Sequence, residues 1–266
     1  MEKQKKIVTT LKFSEAKNNA KLQQIKGKAY VFSLPASYSC PMAELCNSRA
    51  VEQEDGKWKI EDGKKMQFRC FAASQEVLYP AVRNQRWHNF NLLRDCKNSV
   101  EKMKELIINS LPKKFDIIRV HDSGDYFSKN YMKAWVEVAK LNPDKIFYSY
   151  TKSLNFWVDL IDEIPTNLKL NASKGGKLDS YIEKYNLKFV EVVFTEEQAN
   201  IKQLMLDHSD SLAYSQNKSF AILLHGVQKS GTEAALAMNQ LRRAGKNGYN
   251  KKKIKAEMKQ NQKANV

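Results

Sequence analysis

The chain has 266 residues, 42% hydrophobic, with four cysteines and a formal net charge of +16. That length and apolar fraction support one large domain or two small ones with a buried core. Its longest apolar runs, such as Phe220 to Leu224, fall far short of the roughly 20 residues a membrane-spanning helix needs, and the charged start Met1 to Thr10 lacks the apolar stretch of a signal peptide. No membrane partner is expected, and a cytoplasmic location is.

Residues 28–34 (Lys-Ala-Tyr-Val-Phe-Ser-Leu) carry the aromatic and β-branched content of a first strand, ended by Pro35. A loop with Cys40-Pro41 and Cys46 follows. Two turn signals, Asp55-Gly56 and Asp62-Gly63, flank Lys57 to Ile60 and predict a small hairpin. Such an excursion returns the chain near its start and would bring Cys70 back beside the first two cysteines. Helical spacing then covers Ser74 to about Arg94, with Ser74 as N-cap and Pro80 as a kink or first-turn residue, and a second helix covers Ser99 to Ser110.

From 115 onward strands and helices alternate: strands at 115–120, 145–150, 168–172, 188–194, 211–214 and 220–224, and helices at 128–141, 154–161, 177–185, 196–206 and 231–243. Repeated β-α units predict a parallel sheet covered by helices. The expected fold is an α/β, full or partial (β/α) TIM-barrel-like domain over 1–241, with an open doubly wound sheet as the alternative. Polar residues follow several strands: His121 and Asp122, Lys152, Asn171 and His225. In a barrel those ends converge on one mouth, where sites are built.

Residues 242–266 hold nine basic residues and one acid, a net of +8, which is half of the excess charge. With glycines and amides and little apolar surface, this reads as a flexible tail able to bind nucleic-acid backbones by counterion release. The bland alternative is a solvated tail.

Cys40, Cys46 and Cys70 lie on turn-rich segments, and thiolates are soft ligands for iron-sulfur clusters or zinc. Neither a C-x2-C knuckle nor an H-x3-H pair is present, which tilts the expectation to a cluster, [4Fe-4S], with zinc as the alternative. Cys96 stands beyond a helix and is left out. The cluster would take a fourth protein ligand, His225 or His121, or leave one iron open. Arg119 to Phe127 is the densest polar group after a strand. There His121, Asp122 and Asp125 offer a proton carrier and carboxylates for catalysis, while Lys152, Asn171 and His225 would bind the cofactor. A simpler role for Asp125 or Ser128 is to cap the next helix. Arg83 to Phe90 combines cations with aromatics that could grip phosphates and bases, although Trp87 and Phe90 at helical spacing are more often core, and Leu224 to Glu233 offers glycines and a helix start that could hold an anion.

Ser33-Leu34-Pro35-Ala36, Cys40-Pro41, Phe68-Arg69-Cys70-Phe71-Ala72-Ala73-Ser74-Gln75-Glu76, Arg86-Trp87-His88-Asn89-Phe90, Arg119 to Asp125 and Leu224-His225-Gly226 together resemble the phage "gene product 88" family, over about residues 28–243. The resemblance implies bacteriophage origin and work in the bacterial host cytoplasm. A second, weaker likeness of layout is to radical S-adenosylmethionine enzymes, in which a three-cysteine cluster joins a barrel. They carry C-x3-C-x2-C, whereas this chain has C-x5-C and then 23 residues before Cys70. An iron-sulfur protein, active on nucleic acid or a small molecule at the barrel mouth, is the first expectation. A non-enzymatic nucleic-acid-binding protein with a structural metal is the alternative, and a host protein is a further possible partner.

Overall fold

The computed structural model describes residues 9–19, 22–215 and 217–245. Strand β1 (Ser14–Glu15) pairs antiparallel with β2 (Ala29–Phe32), after which the chain leaves the main sheet. It forms a separate hairpin of β3 (Ser48–Glu52) and β4 (Trp58–Asp62), then α1 (Phe71–Leu78), α2 (Pro80–Asp95) and α3 (Val100–Ser110). It re-enters the sheet at β5 (Ile117–Val120) and continues through α4 (Lys129–Lys140), β6 (Ile146–Thr151), α5 (Leu154–Asp159), β7 (Leu168–Ser173), α6 (Ser180–Lys184) and β8 (Phe189–Val193). The last elements are α7 (Glu196–Ile201), β9 (Met205–Leu206), α8 (Ser211–Ser215), β10 (Phe220–Leu223) and α9 (Glu233–Arg243).

The expected α/β architecture is present as an eight-stranded sheet ordered β1-β2-β5-β6-β7-β8-β10-β9, parallel throughout except at β1. From β2 to β8 spatial order follows chain order, without the mid-sheet reversal of a doubly wound fold. Among the described residues no pairing joins β1 to β9, so the sheet is open rather than a closed barrel.

Period-two alternation gives the sheet two unlike faces. Ile118, Val120, Phe147, Leu170 and Ala172 join α3 and α4 residues in the main core, around the fully buried Trp135, whose ring lies 5.7 Å from that of Phe32. Helix α4 starts there because Ser128 Oγ accepts the Tyr131 N–H. The alternate residues Ile117, Tyr148, Val190 and Phe220 face the other way and are covered by Leu212 and Ala213 of α8.

Several expected bounds shift. The helix expected over Ser74 to Arg94 is two: α1 begins at Phe71 with Cys70 as its N-cap, and Pro80 opens α2, where its missing N–H leaves no bond unmade. The expected strand 211–214 is the helix α8, and the helix expected over 196–206 ends at Ile201, with β9 following. Helix α9 runs through Arg243, and residues 246–266, most of the expected basic tail, lie outside the described residues. No helix of the described residues is long and apolar enough to cross a membrane.

Candidate functional site

A cavity of about 460 Å³ opens at the C-terminal edge of β5, β6, β7 and β10. Cys40, Cys46 and Cys70 all line it, and so do His121, Asp122, Asp125, Lys152 and His225. Of the expected metal, catalytic and cofactor-binding residues, Asn171 alone is not in this lining. It is fully buried, and its Nδ2 donates to Ser149 O (3.1 Å) and Ala213 O (3.1 Å), tying α8 to the sheet instead of reaching a ligand.

The hairpin does for the cysteines what its turn signals predict. Gly63 N donates to Asn47 O (2.7 Å), and Gln67 N (2.9 Å) and Phe68 N (3.2 Å) both donate to Leu45 O, so the chain returns beside Cys46 just before Cys70. Arg69 closes the junction with Nε and Nη2 donating to the Asp62 carboxylate at 2.7 to 3.0 Å. The other side of the cysteine loop leans on the turn after β7, through Leu45 N to Gly175 O (2.9 Å) and Lys177 N to Met42 O (3.0 Å). Behind it, the buried Glu76 accepts from Ala36 N (2.9 Å) and from Arg86 Nη1 (3.0 Å), which pins the Pro35-Ala36 segment to α1 and α2.

All three thiols are free of disulfides. Burial pushes Cys40 well above the usual thiol range, with Asp125 and the other two cysteines adding to the effect. Burial likewise pushes Cys70 up to about 12, with Cys46 the next cause. Cys40 and Cys70 thus hold their protons unless a ligand able to displace them arrives, as a metal does on binding thiolate. Cys96 lies elsewhere, at the end of α2, where its Sγ donates to Leu92 O and Leu93 O at 3.4 Å.

Beyond β5 the chain must pass close under the cysteine loop. Leu34 N donates to Ser123 O (2.8 Å) and Ser123 Oγ to Leu34 O (2.8 Å). A Cβ on Gly124, at φ +85°, would stand 2.5 Å from Ser39 Oγ and 2.6 Å from Leu34 Cβ, so only glycine fits. His121 sits at φ +72°, an uncommon conformation for a residue with a side chain, and its ring is buried. Its Nε2 meets Tyr131 Oη at 3.0 Å and its Nδ1 meets Ser149 Oγ at 3.4 Å. Burial, then the Arg119 charge, lowers its pKa to about 3, which makes it a neutral hydrogen-bonding group and a poor proton carrier near pH 7.

Asp125 does not cap α4; Ser128 does. Its carboxylate instead accepts from Thr151 Oγ1 (2.6 Å), Tyr126 N (2.7 Å) and Lys152 N (2.8 Å), while burial raises its pKa to about 6. Lys152 Nζ donates to Ser173 Oγ (2.6 Å), Lys174 O (2.8 Å) and Ser173 O (3.0 Å), bracing β6 against the end of β7. His225 packs at a tilt on Phe71, ring centroids 4.6 Å apart, and Gln228 accepts from Arg69 N (2.7 Å) and donates to Arg69 O (3.3 Å) and His225 O (3.2 Å). That clamp fixes the His225 turn to the residue before Cys70.

On α2 the core reading of the aromatics holds: Trp87 packs on Tyr38 and Phe90, Arg86 is buried in its pair with Glu76, and Arg83 lies 4.0 Å over the Trp58 ring. The start of α9 is capped by its own Thr232, which accepts from Ala235 N, with Glu233 in the first turn, an arrangement that disfavours an anion.

Sequence reasoning missed Arg119, Tyr150 and Phe71 as cavity residues, and Asp210 behind them. The signal was in the strand: a charge alternating with Ile118 and Val120 must face away from the apolar core.

The profile of a family described as "Gene product 88" matches residues 3–252. The chain belongs to the gene product 88 family. Curated relatives include the Gene 88 protein of Mycobacterium phage L5, 32% identical over 111 residues (39% of this chain, 46% of the relative). The Gene 88 protein of Mycobacterium phage D29 is 28% identical over 142 residues (49% of this chain, 59% of the relative). This gene product 88 chain thus spans about half the length of the curated relatives it matches. Both relatives are bacteriophage proteins, which supports the phage origin expected from sequence. No solved structure gives a significant match.

Proposed function

We propose that this gene product 88 protein is an iron-sulfur protein of partial (β/α)-barrel type. Cys40, Cys46 and Cys70 would hold a cluster, [4Fe-4S] with one iron open to a further ligand, at the mouth where strand-end side chains meet a small molecule. The observation that carries this reading is that three thiols from one excursion line the same cavity as Asp122, Asp125, Lys152 and His225. The donor set fits the group: three unoxidised soft ligands, one of them the N-cap of α1, where the positive end of the helix dipole favours a negatively charged cluster. Zinc, held through Zn–S bonds of about 2.3 Å, is the alternative occupant; among the described residues no group of three or more His, Cys, Asp or Glu side chains is arranged to hold a metal ion, which bears on zinc and cluster alike.

When bound, such a cluster supplies electron transfer and Lewis acidity. The chain's own residues supply the rest. Asp125, buried and with its raised pKa, holds or passes a proton at the cavity wall. His121 orients neighbours as a neutral ring, and Lys152 keeps the mouth rigid. The proposed place of action is the cytoplasm of the bacterial host.

The test is iron, sulfide and zinc content with an absorption spectrum on anaerobically purified protein, beside the Cys40→Ala/Cys46→Ala/Cys70→Ala variant. Iron and sulfide present in the parent and lost in the variant are expected; a colourless, zinc-loaded parent overturns the reading. Adding S-adenosylmethionine to the reduced cluster and recording the EPR spectrum tests that compound as an outside ligand.

The alternative, a nucleic-acid-binding protein with a structural metal, is favoured only by the net +8 of residues 242–266, since α2 no longer contributes a cationic face.

A further inference from the structure

We propose that the cavity takes a small molecule bearing a carboxylate or phosphate group, seated on the Nε and Nη2 edge of Arg119. The proposal rests on the reading of this cavity as a ligand site and does not need the cluster. Arg119 belongs to β5, on the face turned away from the main core, and lines the cavity with its side chain 12% exposed. A guanidinium has five N–H donors in a plane, and here the bonds among the described residues go to one nitrogen. Nη1 donates to Asp210 Oδ2 at 2.7 Å, and the nearest oxygen of Asp122 stands 3.7 Å from that same Nη1. Among the described residues Nε is buried and without a hydrogen-bond partner. A buried donor left unmade is costly, and native proteins rarely keep one without a purpose.

The unmade bond lies on the edge that matters. Nε–H and Nη2–H point the same way, as a parallel pair spaced to meet two oxygens of one carboxylate or phosphate. Lysine could not offer this. The other cation of the lining, Lys152, already spends its ammonium on three protein oxygens.

The guanidinium is also held in place. Asp210 is fully buried at φ +59°, and besides Arg119 it receives Tyr150 Oη at 2.8 Å and Tyr148 Oη at 3.0 Å. The Tyr150 ring supports the cation from one side, 4.9 Å from Cζ. A strained acid, two tyrosines and an arginine thus fix one charged plane at the cavity wall, and such strain clusters at functional sites. A volume of about 460 Å³ is that of a small-molecule pocket.

The experiment is a titration of the full chain, followed by 1H–15N spectra of the arginine Nε region, with sodium phosphate, sodium acetate or neutral acetamide at fixed ionic strength. The Arg119 Nε–H signal is assigned by triple resonance, so no variant is needed to read it. The expected result is a saturable shift of that signal with one anion and none with acetamide, phosphate or acetate alone telling which acid the ligand carries. Thermal midpoints should rise with the same anion, and Arg119→Lys, with unchanged circular dichroism, should lose the rise. Tyr150→Phe should weaken it severalfold. No shift with either anion, an equal shift with acetamide, or a full response in folded Arg119→Lys overturns the proposal. Iron and sulfide measured on the same samples keep the two readings apart: a cluster-free protein that binds the anion sinks the cluster and leaves this site standing.

Discussion

The two faces of the one sheet are built to different standards. On the helix-covered face, Phe32, Ile118, Phe147 and Trp135 are fully buried in the main hydrophobic core. On the other face the same strands carry Arg119, Tyr148 and Tyr150, gathered on Asp210, and end in a cavity that still has room. The first face stabilises the protein; the second is left polar, strained and incomplete, which is what a site requires and a core avoids. Because strand residues alternate, one strand serves both: Ile118 and Val120 anchor β5 while Arg119 between them faces the cavity.

Mutations can separate the two. Trp135→Ala, on the packed face, should cost about 3–5 kcal/mol by leaving a large cavity, measured by urea unfolding. If the parent carries the proposed cluster, any variant protein that stays folded should hold as much iron and sulfide; a loss of iron at unchanged fold would break the division. His121 tests the boundary between the faces. Its folded pKa of about 3 lies below its ordinary value of 6.5, so the unfolded chain binds the proton more readily and stability falls as pH drops from 6.5 towards 3. Going from pH 7 to pH 5 should cost the parent about 2 kcal/mol through this group, and His121→Asn should lose that part of the slope in pH-dependent unfolding. An identical slope would mean the ring is not held neutral.

Gly226→Ala strikes the cavity face alone. Its φ is +87° and a Cβ would meet Phe71 Cβ at 2.8 Å, so the strain should cost about 1–2 kcal/mol. The Phe71 and His225 contact should move with it, and iron content should drop more than stability does, a ratio opposite to that of Trp135→Ala. Deleting 246–266 should leave the thermal midpoint within experimental error. It should abolish the salt-dependent part of any nucleic-acid binding, read by titration at two salt concentrations; unchanged binding would remove the tail from the partner's interface.

How much of this was legible depends on how local each cause is. The hairpin could be read because Asp-Gly pairs fix a turn within a few residues, and the cysteines could be grouped because that turn returns the chain. The β-α alternation after 115 was legible for the same reason. The strand expected at 211–214 is α8 because Leu212 and Ala213 are buried against β6 and β7 by tertiary packing, and a short apolar run has no period of its own to tell helix from strand. Asn171 looked like a mouth residue from its place at a strand end, yet whether it points to ligand or to α8 depends on a neighbour 42 positions away. Arg119 and Asp210 were invisible as a pair across 91 residues, although the lone charge within β5 hinted at the first.

The hairpin between Cys46 and Cys70 also sets a timetable. Its register, Ser48 opposite Asp62 to Glu52 opposite Trp58, closes over a turn of a few residues, and such hairpins form within about 1–10 μs. The parallel partner of β2 lies far along the chain, with Lys28 reaching Asp116 across 88 positions, and pairings of that range are slow because loop closure precedes any reward. On the ribosome the three thiols are therefore neighbours well before β5, β6 and β7 exist to wall them in, and the nascent chain keeps them open to solvent until those strands arrive.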